Sequence, residues 1–116
     1  MPRVRRRAVT QISRRALPRP PTAVVVASES QAIGVLAAAR DLGRRVPADL
    51  SVVGYNDTDV TRDLGLTTLQ VPLRDLGRQA AEMLLAELTE PDIDRSARYL
   101  PAQLIVRKTC GPPPLA

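Results

Sequence analysis

The sequence has no histidine, no tryptophan and no phenylalanine, and it carries one cysteine, Cys110. These absences remove whole classes of chemistry. Without histidine there is no Ser-His-Asp arrangement, and with one thiol there is no zinc finger or iron–sulfur cluster. A single cysteine forms no intrachain disulfide, which suits a reducing compartment and points to the cytoplasm. Tyr55 and Tyr99 are the only aromatics, too few for a module that stacks bases on rings. No apolar run approaches membrane-spanning length. After the basic start Arg3–Arg7 comes AVTQIS and then Arg14–Arg15, which is too short and too polar for a secretory signal. There is no G-x-G-x-x-G loop after a strand and no Walker lysine. Asp57, Asp59 and Asp63 offer oxygens that bind Mg²⁺ in principle, but loop acids of this kind read as solvated. The expectation is a chain that is not an enzyme and has no cofactor and no metal site.

What remains is enough for one core. The chain has 116 residues, of which 44% are hydrophobic, so it is not wholly disordered. That core must be built of Val, Leu, Ile and Ala. Charge is distributed unevenly. Residues 1–20 hold seven arginines and no acid, so the net +5 is +7 on this segment and −2 on the rest. The basic pI therefore describes an arm and not a domain surface. The arm, with Pro2, Pro18 and Pro20, reads as a disordered leader. Residue of a mis-started gene, a nonspecific nucleic-acid-binding arm and an organelle transit peptide are the other readings.

Beyond the arm, the pattern is α/β. Thr22–Ala27 is a short β-branched run that reads as a strand buried on both faces. Ser28-Glu29-Ser30-Gln31 fits a capping box, with Ser28 as cap, Gln31 reaching back and Glu29 placing charge in the positive first turn. The helix that follows reads Ala32, Ile33, Val35, Leu36, Ala39 and Leu42 along one side and stops at Gly43. Ser51–Tyr55 is a second buried strand, ending in the polar cluster Asn56-Asp57-Thr58-Asp59. In open α/β sheets that is where ligands bind. Residues 58–66 read as loop with a short helical turn. Thr67–Val71 is a third strand, and Pro72 opens an amphipathic helix with Leu73, Leu76, Leu84 and Leu88 along one face. Tyr99–Arg107 gives one or two short strands broken near Pro101, and residues 110–116 form a Pro-rich tail. The order is β-α-β-β-α-β.

Four stretches resemble the lactose/galactose-repressor (LacI/GalR) family of bacterial transcription regulators. They are PTAVVVASESQAIGVLAAARDLG, VPADLSVVGYND, LGLTTLQVPLRDLGRQAAEMLL and LPAQLIVRKTCGPP. Together they run from residue 21 to 113 in the family's order and spacing. The resemblance implies the C-terminal part of a type I periplasmic-binding-protein-like effector domain over residues 21–109. Its architecture would be three-layer α/β/α with a mainly parallel sheet. In such regulators two lobes close over a small ligand, often a sugar or a nucleoside. The domain forms a homodimer, and a separate helix-turn-helix reads a palindromic operator. The expected partners are thus a small-molecule effector and, only through a full-length regulator, operator DNA, with no membrane. The motifs cover neither a helix-turn-helix nor the first lobe. The Leu73/Leu76/Leu84 face, which in the family packs on that lobe, is then expected to be uncovered.

The resemblance also nominates three ligand-reaching positions. They are Ser28, where the family commonly has Asn, Asn56, the first acid of the family's Asp-Asp pair, and Val71, where Gln is common. A carboxylate accepts two hydroxyls at once, whereas Asn56 offers one acceptor and two donors. Val71 replaces a polar group with an apolar wall. Each has a plainer role as well. Ser28 caps a helix, Asn56 and Asp57 form an Asx-type turn, and Val71 packs in the core. Asp57 is expected to hold the loop, and Glu29 and Gln31 to support the cap. Cys110 reads as an inert thiol.

Overall fold

The computed structural model describes residues 20–90, 92, 94 and 96–115. The arginine-rich arm of residues 1–19 lies outside the described residues. Four strands form one sheet: β1 (Ala23–Val25), β2 (Ser51–Asn56), β3 (Thr67–Gln70) and β4 (Gln103–Ile105). Three helices intervene: α1 (Glu29–Asp41), α2 (Asp59–Asp63) and α3 (Leu73–Thr89). The spatial order is β1-β2-β3-β4. The β1–β2 and β2–β3 pairs are parallel, and β3–β4 is antiparallel. This is the mainly parallel α/β sheet that the pattern implied. The helical turn expected between β2 and β3 is the five-residue α2. No helix among the described residues is long and apolar enough to cross a membrane.

The core lies between α1 and the sheet. Ala32, Ala38 and Ala39 of α1 are fully buried, as are Leu50, Val52 and Leu66 on the sheet side. Alanines bring the helix backbone close to β2, so aliphatic side chains alone fill the gap and no aromatic is needed. Leu50 and Leu66 each contribute about 1.5–3 kcal/mol through this burial.

The ends of α1 follow from local chemistry. Ser28 Oγ accepts a hydrogen bond from Gln31 N at 3.3 Å, with Ser28 itself in extended conformation. The reciprocal half of the capping box is not formed: the exposed Gln31 side chain makes no bond back to Ser28. Glu29 reaches out of this turn instead, as described below. At the other end Gly43 takes φ +67°, Gly43 N donates to Arg40 O, and Arg44 N donates to Ala39 O. This pair of bonds is the Schellman closure, and it needs a residue that tolerates positive φ.

One strand differs from expectation. β1 is not buried on both faces: Val25 is 72% exposed. Among the described residues β1 has a strand partner on one side only and α1 covers one face, so no described residue packs over its outward side chain. Its β-branched run has the composition of a central strand, and composition does not report position in the sheet. α3 has no buried residue, and its Leu73, Leu84, Leu85 and Leu88 are between 55% and 76% exposed.

The chain after β4 is tied back beneath the sheet. Thr109 is 5% exposed, and its Oγ1 accepts from Thr67 N at 2.8 Å and donates to Val52 O at 2.7 Å. Val52 N donates in turn to Thr109 O. Gly111, within the stretch read as the start of a tail, bonds Ser51 through N and O at 3.1 and 3.2 Å. One hydroxyl thus joins β2 and β3 at their buried ends. Thr109→Val keeps the shape and leaves a buried N–H and a buried C=O without that partner. It is expected to cost about 2–4 kcal/mol in urea unfolding, with Thr109→Ser recovering most of the loss. A loss for Ser with little or none for Val would show that the methyl packing matters and the hydroxyl does not.

Candidate functional site

The carboxyl ends of β2 and β3 open into a concavity of about 510 Å³. Part of its lining is a row of polar residues set by strand register. Asn56 pairs with Gln70 across β2–β3, and Gln70 pairs with Gln103 across β3–β4. All three line the concavity, with Asp57 beside them. The rest of the lining is apolar: Val71, Pro72, Leu73 and Pro101. A lining that is part carboxamide and part aliphatic suits a small ligand that carries both hydrogen-bonding groups and apolar surface.

Backbone geometry at the strand end is unusual. Asn56 has φ +99° and Asp57 φ +65°. Asn and Asp tolerate the left-handed region better than other side-chain-bearing residues. These two residues turn the chain sharply out of β2 and so bring Asp57 underneath Gln70.

Asp57 is the electrostatic centre of the site. Its side chain is 1% exposed. Arg107 Nη1 stands 2.6 Å from Oδ1, and Arg62 Nη2 stands 3.6 Å from Oδ2. Gln70 Nε2 donates to Oδ2 at 3.0 Å. Arg107 Nη1 also donates to Leu66 O at 2.9 Å, so its short contact with Oδ1 is a close ion pair whose hydrogen-bond angle is poor. The Arg107 guanidinium beside Asp57 holds its carboxyl below the usual carboxylate range, against the opposing effect of burial; Arg62 and Gln70 reinforce the lowering. The carboxylate is therefore ionised at neutral pH, and its charge is balanced inside the protein.

Glu29 fastens the loop that carries these residues. Its Oε1 accepts from Thr58 N at 2.6 Å and Thr61 Oγ1 at 2.9 Å, and its Oε2 accepts from Thr58 Oγ1 at 2.6 Å. Desolvation pushes the Glu29 carboxyl up, but the hydrogen bonds from Thr58 and Thr61 outweigh it, and its pKa is lowered. The first turn of α1 is thereby joined to the start of α2.

The structure brings together Asn56, Asp57 and Val71 of the residues nominated from sequence. Ser28 does not line the concavity; it caps α1. Gln31 offers its backbone N–H to that cap, and its side chain is exposed. Gln70, Gln103 and Arg107 are additions. Gln70 adjoins Val71 and was within reach of a sequence reading. Gln103 and Arg107 were not, because they reach the site only through the antiparallel return of β4. Among the described residues no group of three or more His, Cys, Asp or Glu is placed to hold a metal ion.

Comparison with known proteins follows the same lines as this geometry. A family model described as periplasmic binding protein-like domain matches residues 2–110, a span that includes most of the arginine-rich segment. The HTH-type transcriptional repressor CytR of Escherichia coli (strain K12) is 38% identical over 93 residues, covering 78% of this chain and 27% of that protein. The chain thus spans about a quarter of the length of the curated relatives it matches. Among solved structures, a transcriptional regulator LacI from Bacillus cereus subsp. cytotoxis NVH 391-98 superposes with a TM-score of 0.82 at 27% identity, over 92% of this chain and 39% of that one. The lac repressor dimer bound to operator and the anti-inducer ONPF gives 0.79 at 32% identity, over 92% and 37%.

Proposed function

Because the chain belongs to the periplasmic-binding-protein-like domain family and is homologous to the sensor domain of LacI-family transcriptional repressors, we propose that it is the effector-sensing portion of such a regulator. The observation that carries this is the concavity at the carboxyl ends of parallel strands, lined by Asn56 and Gln70 together with Val71. Its one lining carboxylate, Asp57, is already neutralised by Arg107 and Arg62. An uncharged ligand enters such a site without leaving a buried charge unpaired, and an anion or cation does not. Sugars and nucleosides meet that condition. Control of operator DNA belongs to a full-length cytoplasmic regulator acting as a homodimer, in which this portion supplies ligand response.

The test is amide hydrogen exchange on the 116-residue chain, alone and with a panel of sugars and nucleosides. Protection across β1, β2 and β3 is expected without ligand. A cognate ligand is expected to slow exchange at residues 56–57 and 70–73 and to leave the middle of α1 unchanged. If no member of the panel changes exchange at these positions, the sensing reading fails.

A further inference from the structure

The three carboxamides at the mouth of the concavity are not equivalent. Asn56 and Gln103 make no side-chain hydrogen bond to another described residue, whereas Gln70 Nε2 donates to Asp57 Oδ2 at 3.0 Å. A carboxamide has two ends, one that donates and one that accepts, and it turns over when its partners allow. Asp57 does not allow it. Arg107 at 2.6 Å and Arg62 at 3.6 Å keep that carboxylate ionised, and an ionised carboxylate has no hydrogen to give. Only the NH₂ end of Gln70 can face it, so Oε1 is the end left for a ligand. Gln70 is in β3, between Asn56 and Gln103 in the register, and its own side chain is largely exposed.

We propose that Asp57 is a positioning residue that fixes the Gln70 amide with its carbonyl free, so that the site selects uncharged ligands presenting an N–H or O–H donor at Gln70 and disfavours those presenting an acceptor there. The inference rests on the effector-sensing reading and adds its polarity. Val71 and Leu73 form an aliphatic wall that offers no compensating donor to a ligand acceptor. A ligand acceptor placed against Oε1 loses its water and gains nothing. Arg107 enters the ligand's choice only at second hand, through Asp57.

The experiment is titration calorimetry on the full 116-residue chain with paired probes that differ in one group. Adenosine against 6-methoxypurine riboside and cytidine against 4-methoxypyrimidin-2-one riboside exchange an amino donor for an ether acceptor and leave the neighbouring ring nitrogen an acceptor. Methyl galactoside against each of its monodeoxyfluoro derivatives removes one hydroxyl donor at a time. In whichever class binds, the donor-bearing member is expected to bind about tenfold tighter or better, since an unpaired polar group in a site is costly. For the galactosides this holds at one hydroxyl position. Asp57→Asn frees the amide to turn over and is expected to reduce the preference to about twofold. Gln70→Met, at an exposed side chain, removes the acceptor without disturbing the ion pairs and is expected to abolish the preference too. The quantity read is the ratio within a pair, which a general loss of structure does not move, because it weakens both members alike. Tighter binding of the acceptor-bearing member overturns the proposal, as does a preference that survives Gln70→Met. Binding without any preference overturns it and leaves the sensing reading intact. No binding by any probe overturns the sensing reading and the proposal together.

Discussion

Replacing Arg107 with methionine is expected to cost about 3–5 kcal/mol in urea unfolding, the largest loss from any single charged residue described here. The change leaves a carboxylate that is 1% exposed with only Arg62, at 3.6 Å and 53% exposed, as a charge partner. Removing one member of a buried pair costs several kcal/mol because the other charge stays behind. It also takes the donor from Leu66 O. Against a total stability of about 5–15 kcal/mol for a domain, this is a large fraction. The pH dependence distinguishes an electrostatic cause from a packing cause. In the native protein Asp57 has a depressed pKa, with Arg107 as the main reason. Its stabilising contribution is therefore complete above the unfolded value of about 3.9 and is lost as pH falls through the lower folded value. In Arg107→Met, burial of Asp57 is opposed by less charge, so its pKa rises, and protonation on acidification relieves the strain. The stability gap between the two proteins is expected to narrow below about pH 4. A gap that stays constant from pH 7 to pH 3 would assign the loss to packing of the arginine stem.

The second large effect lies in the core, where a glycine and a leucine share one space. Leu66 is fully buried. A Cβ placed on Gly54 would stand 2.5 Å from Leu66 Cδ2 and 3.3 Å from its Cγ. β2 thus has no side chain at this point because β3's approach brings Leu66 there. Leu66→Ala is expected to lose about 2–5 kcal/mol through lost burial and the cavity left behind. Gly54→Ala alone is expected to lose about 1–3 kcal/mol by overpacking. Made in the Leu66→Ala background, the same Gly54→Ala change fills space and is expected to be neutral or mildly stabilising. The coupling energy from the four proteins is then about 1–3 kcal/mol. Additive losses, with no coupling, would mean that Leu66 turns aside freely and that the two residues do not compete.

Much of the fold was legible because its signals are local. Runs of β-branched residues ending at a polar cluster or at a proline placed β2 and β3 to within a residue or so of Ser51–Asn56 and Thr67–Gln70. The Ser28 cap and the Gly43 stop marked the ends of α1 for reasons of hydrogen bonding and positive φ that hold within one turn. Asn56, Asp57 and Val71, which line the concavity, were nominated from the sequence by resemblance and by their place at strand ends. The edge position of β1 was not legible, because Val24 and Val25 carry the same composition whether a second strand lies beside them or not. The expected bond from the Gln31 side chain to Ser28 was a plausible pattern without a structural counterpart.

By itself the sequence determined the α/β class, the strands and helices, the family and the strand end at which the concavity lies. Each of these depends on neighbours within a few residues, or on a motif that can be matched. The tertiary structure alone decided which groups complete the site. Arg107 and Asp57 are fifty positions apart in number, and Thr109 reaches Val52 and Thr67 over separations of 57 and 42. Such partners are chosen by the register of β4 against β3 and by the path of the chain beneath the sheet. A side chain's charge balance and its free hydrogen-bonding end are properties of those neighbours. The polarity of Gln70 follows for that reason from the fold, where Asp57 and Arg107 meet it, and from no feature of its own sequence position.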